Sequence, residues 1–99
     1  MRLTVWTRQR CVACGPWKDR LGDLSRRFEV PLRTVECDEN EEEATRNGIR
    51  MVPTVHLIDD GEIVGIWTGA SPAILARIER DIRDRRPPKD PRFGLPPRL

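Results

Sequence analysis

Residues 10–17 read Arg-Cys-Val-Ala-Cys-Gly-Pro-Trp. Two thiols three residues apart stand between a run that favours strand and a run that favours helix. Upstream, Arg2-Leu3-Thr4-Val5-Trp6-Thr7 is rich in β-branched and aromatic residues and is predicted as a strand. Downstream, Cys14, Trp17, Leu21, Leu24 and Phe28 recur at steps of three and four, which makes one apolar face of a helix predicted over Cys11–Phe28. Val30-Pro31 ends it, because the residue before a proline is held out of the α region. Leu32 to Cys37 reads as a second strand. A helix between two strands is a crossover unit and sets those strands parallel.

The rest of the chain completes a domain. Asn40 followed by Glu41-Glu42-Glu43 reads as a capped helix start, with acids at the positive end of the helix dipole. Gly48 closes that short helix. Pro53 opens a strand over Thr54–Ile58, Asp60-Gly61 is a hairpin signal, and Glu62–Thr68 returns antiparallel. Ser71-Pro72 caps a last helix with Ile74, Ile78 and Ile82 on one face, and Glu79 and Arg83 lie one turn apart on another. The order β-α-β-α-β-β-α predicts an α/β domain over residues 1–84, with a four-stranded mixed sheet and three helices. Residues 85–99 hold five prolines and five basic side chains, and are predicted to be a disordered tail.

Composition narrows the function. The chain has 99 residues and a net charge of +2, which fits one small domain. Residues 1–84 carry 13 basic and 15 acidic side chains, so no basic face for nucleic acid is expected. No apolar run approaches a membrane span, and no secretory segment precedes Cys11. The expectation is a cytoplasmic monomer. Three cysteines in a reducing compartment argue for catalysis or metal rather than a disulfide scaffold.

In disulfide exchange the thiolate attacks, so the attacking cysteine needs a lowered pKa and access. A helix N-terminus supplies both. Cys11 is read as the N-cap and nucleophile, while Arg8 and Arg10 add little because exposed arginines are screened. Cys14 falls on the apolar face with Trp17 and Leu21, as a half-buried resolving thiol should. Pro16 argues for the other register, with Cys14 as cap, since five residues into a helix it removes a backbone bond. That register leaves Trp17 in the resolving position, where it has no thiol to offer. The first register is preferred, with an irregular turn expected near Pro16. Cys37 is read as a small buried hydrophobe and His56 as a satisfied core or edge histidine. Two rival classes remain. Cys11, Cys14, Cys37 and His56 form a possible Cys3His zinc set, and the domain is alternatively a redox-inactive protein-binding module.

These features resemble the thioredoxin superfamily. "MRLTVWTRQRCVAC" is similar to the opening of glutaredoxin-like NrdH-type redoxins, and "CDENEEEATRNGIRMVPTVHLIDDGEIVGIWTGAS" to the second half of bacterial thioredoxin. Cys14-Gly15-Pro16-Trp17-Lys18 also looks like the thioredoxin Cys-Gly-Pro-Cys-Lys, with Trp17 where the second cysteine stands. The resemblance implies a thioredoxin fold, a cis peptide before Pro53, and a bacterial or bacteriophage source. It implies a substrate groove at Val52 and Pro53, to which Val12 and Ala13 between the cysteines and the segment Trp67-Thr68-Gly69 are added. No organic cofactor is implied, only a redox-active Cys11–Cys14 pair. Thioredoxin reductase is the implied electron source and ribonucleotide reductase the leading target. Three positions depart from the family. The buried aspartate and lysine of thioredoxin fall at Val5 and Thr34. The acid of the glutathione-binding segment is absent from Thr68-Gly69-Ala70-Ser71, which disfavours glutathione. Val-Ala between the cysteines matches neither Gly-Pro nor Pro-Tyr.

Overall fold

The computed structural model describes residues 1–85. In chain order these form β1 (Arg2–Thr7), α1 (Cys14–Phe28), β2 (Leu32–Glu36), a 3-10 turn (Cys37–Glu39), α2 (Glu41–Arg46), β3 (Thr54–Asp59), β4 (Glu62–Thr68) and α3 (Pro72–Arg85). The predicted element order therefore holds. The tail predicted from residue 85 lies outside the described residues, except for Arg85, which ends α3 and pairs with Asp59 at 3.3 Å.

The sheet runs β2-β1-β3-β4, with β1 and β2 parallel and the other two pairings antiparallel. Side chains alternate across it, and a core packs on each face. Leu3 and Val5 of β1 sit opposite Leu57 and Val55 of β3. Together with Trp17, Leu21 and Leu24 of α1 and Ile78 and Ile82 of α3 they form the larger core. Trp6, Val35 and Cys37 lie on the opposite face with Ala44 of α2, flanked by Ile49 and Val52. Cys37 is thus the small buried hydrophobe that was expected. Burial pushes its thiol above the usual value, Arg8 works against this, and Glu36 and Asp38 add to it.

Local chemistry explains where elements begin and end. Asp60 and Gly61 have φ of 55° and 80°, the two successive left-handed residues that a tight two-residue hairpin needs. Ser71 caps α3 through its hydroxyl oxygen, which accepts from the Ile74 N–H at 3.1 Å. β2 stops one residue earlier than predicted. The Glu36 carboxylate accepts from the Glu39 N–H at 2.9 Å and tightens Cys37–Glu39 into a 3-10 turn. Asn40 occupies the N-cap position of α2, but its amide donates back to the Glu36 carbonyl at 2.9 Å rather than capping the helix. β3 runs one residue beyond its predicted end, to Asp59, which pairs with Glu62. Gly65 of β4 leaves room for Trp67, whose indole ring occupies the space a Cβ at 65 would take.

The largest correction concerns α1. Its first helical residue is Cys14, and its N-cap is Ala13 rather than Cys11. Proline is the physical reason. A helix begun at Cys11 would lack the bond from residue 16 to the Val12 carbonyl. Begun at Cys14, it places Pro16 in the first turn, where backbone N–H groups have no intrahelical acceptor anyway. The irregularity expected near Pro16 is therefore a later helix start. A turn precedes it, with the Cys11 N–H donating to the Arg8 carbonyl at 3.2 Å and the Cys14 N–H to the Cys11 carbonyl at 3.3 Å.

His56 lies buried between Thr4 and Ile66 on the neighbouring strands. The Trp6 indole N–H donates to its Nδ1 at 3.4 Å, with the rings edge to face. Accepting at Nδ1 requires the neutral imidazole with its proton on Nε2. Burial also lowers the pKa of His56. The unfolded chain then binds more protons than the folded one between the depressed value and the ordinary value near 6.5. This contribution to stability is complete above the ordinary value and is lost as pH falls through the depressed one. We expect the melting temperature to drop as pH falls from about 7.5 to about 5, in the range where histidine titrates. His56→Phe should flatten that slope, and an unchanged slope in the variant would assign it to another group. Glu43, held below its usual value by a hydrogen bond from Arg33, acts only at lower pH.

Candidate active site

The register collects the candidate residues at one end of the sheet. Trp6 of β1 pairs with Thr54 of β3, and Thr54 with Thr68 of β4. The strands are antiparallel. The segment leaving β1 toward Cys11, the segment entering β3 through Val52-Pro53, and Gly69 after β4 therefore share that end. One hydrogen bond ties the third to the second, and another steadies the turn within the second. The Gly69 N–H donates to the Pro53 carbonyl at 2.8 Å, and the Thr54 hydroxyl donates to the Met51 carbonyl at 2.6 Å. The Val52–Pro53 peptide is cis. Pro53 is buried, Val52 half-buried, and Met51 exposed.

Cys11 and Cys14 are joined in a disulfide with Cα atoms 5.3 Å apart. Their surroundings differ. Cys11 is half-buried in the turn, whereas Cys14 is 2% exposed and packs on the α1 face that carries Trp17, Leu21 and Leu24. Val12, between them, is 92% exposed, and Ala13 is exposed as well. The first turn of α1 holds no acidic residue. Its partial positive charge is therefore free to favour a thiolate at this end.

Other candidates fall elsewhere. Trp67 turns its side chain toward the larger core, in register with Val55, and so parts from its neighbours Thr68 and Gly69. Arg8 does not stand free beside Cys11. It pairs with Asp38 at 2.9 Å, a contact made because Thr7 and Glu36 are opposite each other in parallel strands. The four side chains of the zinc set are dispersed. Cys11 and Cys14 bond to each other, Cys37 lies in the smaller core, and His56 is engaged by Trp6. Among the described residues no three histidine, cysteine or acidic side chains are gathered where a metal ion would sit. Asp38 was missed as a partner of the site, since nothing local in the sequence joins it to Arg8. The exposed Met51 beside Val52 was missed too, although its place before Val52-Pro53 was a signal.

Val5 and Thr34, the positions where thioredoxin keeps its aspartate and lysine, are direct partners across β1 and β2. Losing both together leaves no unpaired buried charge.

Comparison with known proteins agrees with this geometry. Thioredoxin f2 of Chlamydomonas reinhardtii is 27% identical with a TM-score of 0.75, over 88% of this chain and 80% of that one. The thioredoxin pre-protein of Schistosoma mansoni is 28% identical with a TM-score of 0.74, over 83% and 75%. Thioredoxin 1 of Thermosipho africanus, 16% identical, shares the fold with a TM-score of 0.75 over 86% and 98%. A search of curated protein sequences gave no significant match. The sequence profile described as Thioredoxin matches residues 4–81. That match runs from within β1 to within α3, takes in the cysteine pair at the head of α1 and the cis proline at the same end of the sheet, and the chain belongs to the thioredoxin family.

Proposed function

We propose that the chain is a thiol–disulfide oxidoreductase that reduces protein disulfides, with Cys11 as nucleophile and Cys14 as resolving thiol. The observation that supports this most directly is the unequal exposure of two bonded cysteines, Cys11 half-buried and Cys14 2% exposed. In the reduced protein the Cys11 thiolate attacks one sulfur of the substrate disulfide, forming a mixed disulfide and releasing the other sulfur as a thiolate. The Cys14 thiolate then attacks the Cys11 Sγ. The Cys11–Cys14 bond closes, the second substrate sulfur leaves, and two electrons have passed to the substrate. Val52 and Pro53 hold the substrate backbone beside the pair, with Val12 and Ala13 on the other side and Thr68 and Gly69 behind. Trp67 supports that segment from the core.

The dithiol is the redox group, and the reaction uses no organic cofactor. Thioredoxin reductase, the general electron source of the family, restores the dithiol. The leading target is ribonucleotide reductase, on the NrdH-like character of the opening residues. The protein acts as a monomer in the cytoplasm, and no described helix is long and apolar enough to cross a membrane.

Electron source is the direct test. The oxidised protein should be reduced by NADPH and a cognate thioredoxin reductase at least about tenfold faster than by glutathione. The Thr68–Ser71 segment has no acid to hold the glutathione amine, and an unmade charged hydrogen bond costs about that factor or more. Equal or faster turnover in a glutathione-coupled assay would place the chain with the glutaredoxins in function.

A further inference from the structure

Beside the dithiol turn, α1 and α3 leave a cavity of about 430 Å³, a size that accepts an organic side chain or a small ligand. Ala13, the residue before Cys14, lines it from one side, and Ala70 and Ser71, which follow Gly69, line it from the other. Trp17 and Leu75 make it apolar. Three of its lining residues, Ala13, Ala70 and Ala76, have short side chains. Two charged residues also line it, and they are not equivalent. Glu79 accepts from Arg27 at 2.9 Å and from Arg83 at 3.1 Å, so its charge is already matched. Arg20 is exposed and has no ion-pair partner among the described residues. The cavity is therefore apolar with a net cationic edge.

We propose that this cavity is a specificity pocket for the disulfide-bearing polypeptide, taking a large apolar side chain next to the reactive cysteine while Arg20 pairs with a carboxylate on the same segment. The proposal rests on the reductase reading. Continuity supports it, because Ala13 belongs both to the turn between the cysteines and to the pocket wall. An extended segment advances about 3.3–3.6 Å per residue. A substrate anchored by sulfur at Cys11 thus reaches past Ala13 within two or three residues. Charge complementarity supplies the second half of the recognition. An arginine beside an aromatic ring matches a carboxylate that follows an apolar residue, and it repels a lysine in the same place.

Three short peptides test it, each linked through its cysteine to 2-mercaptoethanol and carrying Cys-Phe-Asp, Cys-Phe-Lys or Cys-Gly-Asp. The reduced full chain should react with the first about tenfold faster than with either of the others, the usual scale for filling an apolar pocket or matching a charge. Arg20→Glu should reverse the order of the Asp and Lys peptides. Ala76→Trp should bring the Cys-Phe-Asp peptide down to the rate of the Cys-Gly-Asp peptide, and Ala76→Leu serves if the larger side chain impairs folding. Both substitutions should leave reduction of bis(2-hydroxyethyl) disulfide unchanged, since that substrate is too short to reach the pocket. Equal rates for the three peptides, an Arg20→Glu variant with the order unaltered, or variants equally slow on the small disulfide would overturn the pocket. Failure to reduce any disulfide, the small one included, would instead overturn the reductase reading and the pocket with it.

Discussion

Cys11→Ser is expected to lose disulfide reduction, by at least about 10³-fold, the scale on which removing a nucleophile acts, and to form no mixed disulfide with substrate. Cys14→Ser is expected to attack normally and then stall. Its half-buried Cys11 still lies in the turn ahead of α1, but no thiol remains to resolve the adduct. Covalently linked substrate should accumulate and be released by dithiothreitol. The physical basis is accessibility. Cys14 is 2% exposed and Cys37 1% exposed, so neither offers its sulfur to a bulky disulfide while the fold is intact. Iodoacetamide gives an independent reading. In the reduced protein the first label should map to Cys11, with Cys37 slower still because burial also raises its pKa. A trapped adduct on Cys14, together with a first label on Cys14, would reverse the two roles.

How much of this was legible in the sequence depends on the range of the interaction. The alternation in β1 and the steps from Cys14 to Phe28 are local, and they gave the order of elements and most of the core. The start of α1 was local too, but two signals competed. The apolar face runs smoothly through Cys14 and carries no mark of where the helical backbone begins. Pro16 carries that mark, and it competes with the apolar spacing that runs back to Cys11. What was not legible is what the register creates. The Arg8–Asp38 pair spans thirty residues and exists because Thr7 and Glu36 meet across parallel strands. The adjacency of Val5 and Thr34 has the same origin. The cavity between α1 and α3 is harder still. Its lining comes from the dithiol turn, α1, the segment after β4 and α3, and no local pattern shows that these segments meet. The cis peptide before Pro53 came from the family resemblance rather than from the residues.

Trp17→Ala is expected to cost about 3–5 kcal/mol, the range for deleting a large buried aromatic side chain. A small domain holds about 5–15 kcal/mol in total. The melting temperature should therefore fall by more than about 12 °C, at about 4–8 °C per kcal/mol in a domain of this size, or the variant should fail to fold at 37 °C. Trp17 is 3% exposed in the core between α1 and the sheet, one turn beyond Cys14. Its role there is set by shape rather than by its polar atom. The indole Nε1 is buried with no hydrogen-bond partner among the described residues, and a buried unpaired donor costs about 1–3 kcal/mol. Trp17→Phe discards that donor while keeping most of the ring. The lost packing and the relieved desolvation then oppose each other, and the net change should stay within about 1.5 kcal/mol, as for other shape-conserving apolar swaps. Disulfide reduction should survive in the Phe variant, because neither cysteine moves and no thiol is lost. The two variants together separate core from chemistry at this position. If Trp17→Phe were as damaging as Trp17→Ala, the indole nitrogen would have to hold a water or a partner through which it supports the fold. If Trp17→Phe stayed folded and yet lost reduction, the residue one turn from Cys14 would belong to the reaction itself, and the thioredoxin-like run Cys14-Gly15-Pro16-Trp17 would have to be read again from that side.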